Sequence, residues 1–243
     1  MLINRVIRKV GNGVQAIADV ARIRPTSVDH GPYFGEFLQT LKSELSNKGS
    51  ELGLGMTLFS LLVSIRGEKA IEIGRFKGFS TLALASALRF CDWGWQEPAD
   101  HLQRSHEVDY QTLHLPKLRK LYSIDSAPRP EAEELIEKNN LSRYVEYLNG
   151  DSQTVKLDVV ADVVFIDGDH SYEGCRGDVD RFVPHNLRPG GYFILHDYFG
   201  YYEGTKNASP VKAVCDELVA EGVYQQLLID SHYMSFMVFR KPT

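Results

Sequence analysis

Cysteine is scarce in this chain of 243 residues, with only Cys91, Cys175 and Cys215. An odd number so widely spaced builds neither a disulfide framework nor a Cys-x-x-Cys metal site. It points to reduced thiols in a cytoplasmic protein. Long apolar runs are missing too: the longest, Met56 to Ile65, is half the length of a membrane span and contains Ser60 and Ser64. The first residues alternate basic and apolar side chains without the continuous apolar core of a signal peptide, so no membrane partner is expected. There is no excess of positive charge, since Lys and Arg number 27 against 32 Asp and Glu, a formal net charge of −5. A broad nucleic-acid surface needs clustered cations, so nucleic acid is not an expected partner. Neither Gly-x-Gly-x-x-Gly nor a Gly-Lys-Ser/Thr phosphate loop occurs, which weakens dinucleotide and triphosphate readings. Internal repeats and low-complexity segments are absent as well.

What is present can fill one large α/β domain. At 43% hydrophobic and 24% charged, the composition supports a full core without metal or disulfide staples. Residues 2–21 carry Ile3, Val6, Ile7, Val10, Val14, Ile17 and Val20 at helical spacing, interrupted by Gly11 and Gly13. This helix either packs on a partner subunit, giving a homodimer, or covers its own domain. Further helices are expected over 33–45 and 55–65, so residues 1–66 read as an N-terminal helical extension to a domain spanning 67–243. Within that domain, residues 89–120 lose all periodicity and hold both tryptophans, Trp93 and Trp95, with His101, His106 and His114. They read as an insertion, either a substrate wall or a solvated loop.

The ordered part alternates strands and helices. Strands are expected at 70–73, 121–124, 145–148 and 163–166, in a segment before His196, and at 224–229 and 233–240. Helices are expected at 81–88, 131–139, from about Ser171 to Phe182, and at 211–220. The first strand leads through Gly74 and Gly78 into a helix, the opening unit of a nucleotide-binding fold. Between Val159 and Phe199, one apolar strand ends in Asp167, Gly168, Asp169 and His170. A Pro189-Gly190-Gly191 turn then precedes a second strand, which ends in His196 and Asp197. Two buried parallel strands would thus bring acids and imidazoles to their carboxyl ends, where ligands bind in open α/β sheets. The last two strands read as a hairpin with an antiparallel partner.

The ordered set Glu72-x-Gly74 with Gly78, then Asp125, then Gly150-Asp151-Ser152, then Asp167 and Pro189-Gly190-Gly191 resembles class I S-adenosylmethionine-dependent methyltransferases. The stretch FIDGDHSYEGCRGDVDRFVPHNLRPGGYFILHDYF is similar to their small-molecule O-methyltransferase branch, which holds macrocin and macrolide-sugar enzymes beside proteins labelled cephalosporin hydroxylases. The resemblance implies a doubly wound, Rossmann-like, seven-stranded sheet whose last strand is antiparallel. It implies S-adenosylmethionine as cofactor, held at Glu72, Gly74, Gly78, Ser80, Asp125, Asp151, Ser152 and Asp167. In that reading Asp125 takes the ribose hydroxyls, while Asp151 and Ser152 meet the adenine edge; helix capping is the alternative for such acids. Metal-dependent relatives carry a base three residues after the acid that ends the fourth strand, and an acidic pair after the fifth. His170 then matches the catalytic base, and Asp167, His196 and Asp197 match a divalent-metal set. A histidine there favours manganese, iron, cobalt or zinc over magnesium. Alternatively, His196 bonds a core carbonyl and no metal binds. The function implied is methyl transfer to the hydroxyl of a small polar molecule, a sugar or glycosylated natural product. The alternatives are a hydroxylase, a hydroxylase-assembly component, or a non-catalytic S-adenosylmethionine-binding protein.

Overall fold

The computed structural model describes residues 49–93, 118–199, 209–229 and 235–243. The expected helices over 2–21 and 33–45, and most of the 89–120 insertion, lie outside them. Among the described residues the elements run α1 (Gly49–Ser64), β1 (Lys69–Ile73), α2 (Phe79–Trp93), β2 (Lys120–Asp125) and α3 (Pro130–Lys138). They continue with β3 (Val145–Asn149), β4 (Ala161–Ile166), α4 (Tyr172–Asn186), β5 (Leu187–Leu195), α5 (Pro210–Glu221), β6 (Gln225–Ile229) and β7 (Phe236–Arg240). The strands form one seven-stranded sheet in the order β3-β2-β1-β4-β5-β7-β6. Pairing is parallel from β3 to β5, and β7 runs antiparallel to both β5 and β6. The expected doubly wound sheet with an antiparallel last strand is therefore found.

Strand side chains alternate between faces, and the core divides accordingly. Ala70, Val163, Phe165, Ile194 and Val238 pack with α1 and α2 on one face. Ile71, Val164, Ile166, Phe193 and Phe239 pack with α4 and α5 on the other. Both faces are covered, which is why the parallel strands read as nearly unbroken apolar runs. Leu54, Leu58, Phe59 and Leu62 of α1 are buried in the same cluster as α2, so this helix belongs to the packed layer.

Several elements differ from the sequence-based expectation, beginning with α1, which starts at Gly49 and not at Gly55. Helix α2 continues through Arg89 as far as Trp93, so the first residues of the supposed insertion are helical. The Pro-Gly-Gly segment is not a turn ahead of β5 but an irregularity inside it. Helix α4 runs on to Asn186, and the register with β4 jumps from Ala161↔Leu187 to Val163↔Tyr192. The C-terminal tail causes this: Gly190 donates its N–H to the carbonyls of Lys241 and Pro242, and Lys241 donates back to Gly191. The Lys241 ammonium also bonds the carbonyls of Val183, Pro184 and Leu187 at 2.7–2.9 Å, closing the end of α4.

The chain steps outward from β1 to β3 and then returns to β4 beside β1. The switch point therefore lies between the β1 and β4 tips, where an open α/β sheet leaves a crevice. Gly74 makes the junction close. Its φ is +86°, and a Cβ there would lie 2.0 Å from the Asp167 carbonyl oxygen. Only glycine fits such an approach.

Candidate active site at the carboxyl edge of the sheet

A cleft of about 740 Å³ opens at this switch point. Its walls come from the β1 turn (Gly74, Phe76), the β2 end (Asp125, Ser126), the β3 loop (Asp151, Ser152) and the β4 and β5 tips (Asp167, Asp169, His170, His196, Asp197). Most of the sequence-predicted site residues thus meet on one surface. Glu72, Gly78 and Ser80 lie behind it.

Glu72 is 0% exposed, on the α2 side of β1. Its Oε1 accepts the Ser80 hydroxyl at 2.6 Å, and its Oε2 accepts Thr81 at 2.7 Å and Ser123 at 2.5 Å. Burial pushes its carboxyl pKa up against these three hydrogen bonds. The arrangement ties the start of α2 and the neighbouring strand β2 to the β1 turn. Arg75, 1% exposed, ties the next tips together. Its guanidinium donates to the Ser123 carbonyl at 2.8 Å and to the Asn149 side chain, and lies over the Tyr147 ring. Nothing in the glycine-turn pattern announces a buried arginine at this position.

Asp125 ends β2 with both carboxylate oxygens engaged. Oδ1 accepts the Ala127 N–H at 3.1 Å and Arg129 Nε at 3.0 Å, while Oδ2 takes the N–H groups of Arg75 and Phe76 at 3.2 and 3.3 Å. Burial would raise its pKa, but these donors outweigh it and hold the group below the usual carboxylate range. Asp151 caps its own loop by accepting the Gln153 N–H at 2.9 Å. Ser152 donates its hydroxyl to Asp178 at 2.6 Å. Asp178 has no place in the sequence reading, although an acid among Cys175, Val179 and Phe182 on the buried stripe of α4 is a visible signal.

At the β4 and β5 tips the imidazoles and acids interlock. Nε2 of His170 lies 3.1 Å from Asp167 Oδ1 and 3.0 Å from Asp197 Oδ2. Nδ1 of His196 lies 3.1 Å from the same Asp167 oxygen. The hydrogen bonds to Asp167 and Asp197 push His170 up to about 10, against the effect of burial. Burial pulls His196 down, yet Asp167 and Asp197 leave it raised on balance. Asp167 is held low because the two imidazoles outweigh its own burial. Asp197 sits at φ +58°, a conformation that Asp tolerates better than most residues. Asp169, beside His170, turns to the helix: it accepts the Ser171 N–H and hydroxyl, both at 2.9 Å, and Ser171 in turn caps α4 by accepting from Gly174. Tyr172 and Tyr198 bond Glu217 and Asp216 of α5, so their hydroxyls anchor that helix.

The donor set suits a divalent cation. One ligand atom each from Asp167, His196 and Asp197 falls within 4.8 Å of the others, and among the described residues these three form such a group. His196 Nε2 and Asp197 Oδ1 are buried polar atoms without a hydrogen-bond partner. Such atoms accommodate an ion or an ordered water.

Comparison with known proteins agrees with this architecture. No curated protein matches the sequence. An S-adenosylhomocysteine-bound methyltransferase of Podospora anserina, PaMTH1, superimposes with a TM-score of 0.60 at 13% identity, over 97% of this chain and 96% of that one. An O-methyltransferase of Bacillus cereus in complex with S-adenosylhomocysteine gives 0.55 at 19% identity, over 93% and 96%. TomG of Streptomyces achromogenes, an O-methyltransferase involved in tomaymycin synthesis and solved with S-adenosylmethionine, gives 0.55 at 14% identity, over 93% and 95%. At these identities the likeness establishes the fold. The family described as a methyltransferase domain matches residues 71–198, from the middle of β1 past the Asp–His–Asp cluster, which is more than half the chain and the whole of the cleft's framework, and the chain belongs to that family.

Proposed function

We propose that this protein transfers a methyl group from S-adenosylmethionine to a hydroxyl of a small polar molecule, a sugar or glycosylated natural product, with help from a divalent cation. The observation that carries the reading is the convergence of Asp167, His170, His196 and Asp197 at one end of a cleft whose other end holds Asp125 and Asp151. The resemblance of the segment from Phe165 to Phe199 to the macrocin-type branch supports oxygen as the acceptor atom.

When bound, S-adenosylmethionine supplies an already electrophilic methyl, so the protein must align the acceptor and take its proton. Gly74 and the β1 turn receive the methionine end, with Glu72, Gly78 and Ser80 supporting that turn from behind. Asp125 would accept a ribose hydroxyl in place of the half-exposed Arg129 side chain, the one of its present donors free to move aside. Asp151 and Ser152 face the adenine edge. Asp167, His196 and Asp197 would hold the cation, which would polarise the hydroxyl and offset the carboxylate charge that keeps His170 protonated. His170, once neutral, would accept the acceptor's proton.

The test is titration calorimetry with S-adenosylhomocysteine, followed by methyl release from labelled S-adenosylmethionine across a panel of hydroxylated acceptors, with and without manganese. Absence of S-adenosylhomocysteine binding would end the proposal.

A further inference from the structure

Asp178 sits on the buried face of α4 with 1% exposure and reaches the loop that follows β3. Its Oδ1 accepts the Ser152 hydroxyl and Gln153 Nε2, each at 2.6 Å. Gly177 makes the second contact feasible, since a Cβ there would stand 3.0–3.1 Å from the Gln153 amide atoms. The other carboxylate oxygen lies near the β4 turn, 3.6 Å from where a Gly168 Cβ would be. The charged groups facing Asp178 are Asp151 and Asp169; with burial as the larger cause, they push its pKa up to about 6 against the bonds from Ser152 and Gln153. Above pH 7 it is a carboxylate, with no proton of its own to give.

A serine hydroxyl has one hydrogen and two lone pairs. At Ser152, a residue that lines the cleft, that hydrogen is committed to Asp178, so the hydroxyl has only lone pairs left to offer a ligand. Asp151 beside it also lines the cleft and carries a side chain that accepts. A base lying there must bring donors. The 6-amino group of adenine does so, whereas a 6-oxopurine in the same pose sets its carbonyl oxygen against acceptors and must shift to offer its neighbouring N1–H instead.

We infer that Asp178 is a specificity-positioning residue. By fixing the Ser152 hydroxyl as a donor to itself, it makes the base wall of the cleft an acceptor that selects 6-aminopurine over 6-oxopurine. This rests on the S-adenosylmethionine reading above and extends it to the atom that discriminates.

The experiment is calorimetry at pH 8 with S-adenosylhomocysteine and S-inosylhomocysteine, on the wild type, Asp178→Asn, Asp178→Leu and Ser152→Ala. The wild type should prefer the adenosyl ligand about a hundredfold. Asp178→Asn keeps an oxygen that can accept from Ser152, so its preference should stay close to that of the wild type, whereas Asp178→Leu removes the acceptor and frees the Ser152 hydroxyl to donate, so there the preference should fall about tenfold, chiefly through better inosyl binding. Asp178→Ala makes the same test if Asp178→Leu does not fold, and Ser152→Ala should also lower the preference. An unchanged ratio in both acceptor-deleting variants, or equal weakening of both ligands in them, overturns the inference while leaving the cofactor reading intact. A wild type that binds neither ligand overturns both.

Discussion

Nε2 of His170 stands 3.0 Å from Oδ2 of Asp197, joining the turn after β4 to the tip of β5. The two residues are 27 positions apart in sequence, and each follows a separate buried strand. Between two carboxylates, His170 is a cation at neutral pH. Its function as a base is therefore conditional on what else Asp167 and Asp197 hold.

Replacing His170 with alanine should lower turnover by about a hundredfold or more. The ring is 48% exposed and belongs to the turn after β4, not to the loop after β3 proposed to meet the adenine edge, so S-adenosylhomocysteine affinity should stay within about threefold of the wild type. Steady-state kinetics and calorimetry on the same preparation check both halves. Unchanged turnover would remove His170 from the chemistry.

A cation at Asp167, His196 and Asp197 should be detectable without turnover. After chelation, manganese at about a hundred times its dissociation constant should add roughly 2.7 kcal/mol to stability and raise the melting temperature accordingly. Asp197→Asn keeps a residue that tolerates the left-handed backbone but removes the charge, so it should abolish most of that shift. Equal shifts in both proteins would place the ion elsewhere.

Gly74→Ala tests the crossing of the β1 and β4 tips. The added methyl would overlap the Asp167 carbonyl at 2.0 Å, and both partners are backbone. A loss of about 3 kcal/mol or more is expected from urea unfolding, together with loss of S-adenosylhomocysteine binding. A variant of normal stability would mean that the two turns separate readily.

Asp178 gives a pH signature. Its pKa rises from 3.8 to about 6 in the folded protein, so between those values the folded state binds more protons than the unfolded one. Its contribution to stability therefore falls as pH rises through that window, and the penalty is complete above it. At about 1.4 kcal/mol per unit this amounts to roughly 2–3 kcal/mol. Asp178→Asn should gain that much on the wild type between pH 4 and 7.5, read as the difference of their urea unfolding free energies. A pH-independent difference would contradict the raised pKa.

Much of the site is legible without coordinates. Gly74, Asp125, Asp151 and the Asp167–His170 spacing each stand at or just after the end of an apolar strand, and a strand's end puts such residues at one edge of a parallel sheet. Asp167, His170, His196 and Asp197 share one place in space for that reason, whatever their chemistry proves to be. Arg75 and Asp178 escape a sequence reading because burial of a charge depends on partners distant in sequence. Asn149 lies 74 residues from Arg75, and Ser152 lies 26 from Asp178. The Pro-Gly-Gly segment reads as a turn for a similar reason: its hydrogen bonds go to Lys241 and Pro242, some fifty residues on.

The sequence by itself determined the order of elements and which residues reach the sheet's carboxyl edge, because both follow from periodicity and local turn chemistry. Only the tertiary structure decided that Glu72 faces inward to three hydroxyls, that Asp125 is already fully bonded, and that His170 is shared between two carboxylates. Those outcomes depend on which strand tips become neighbours. Hydrogen bonds act over about 3 Å, a range that chain position alone does not specify.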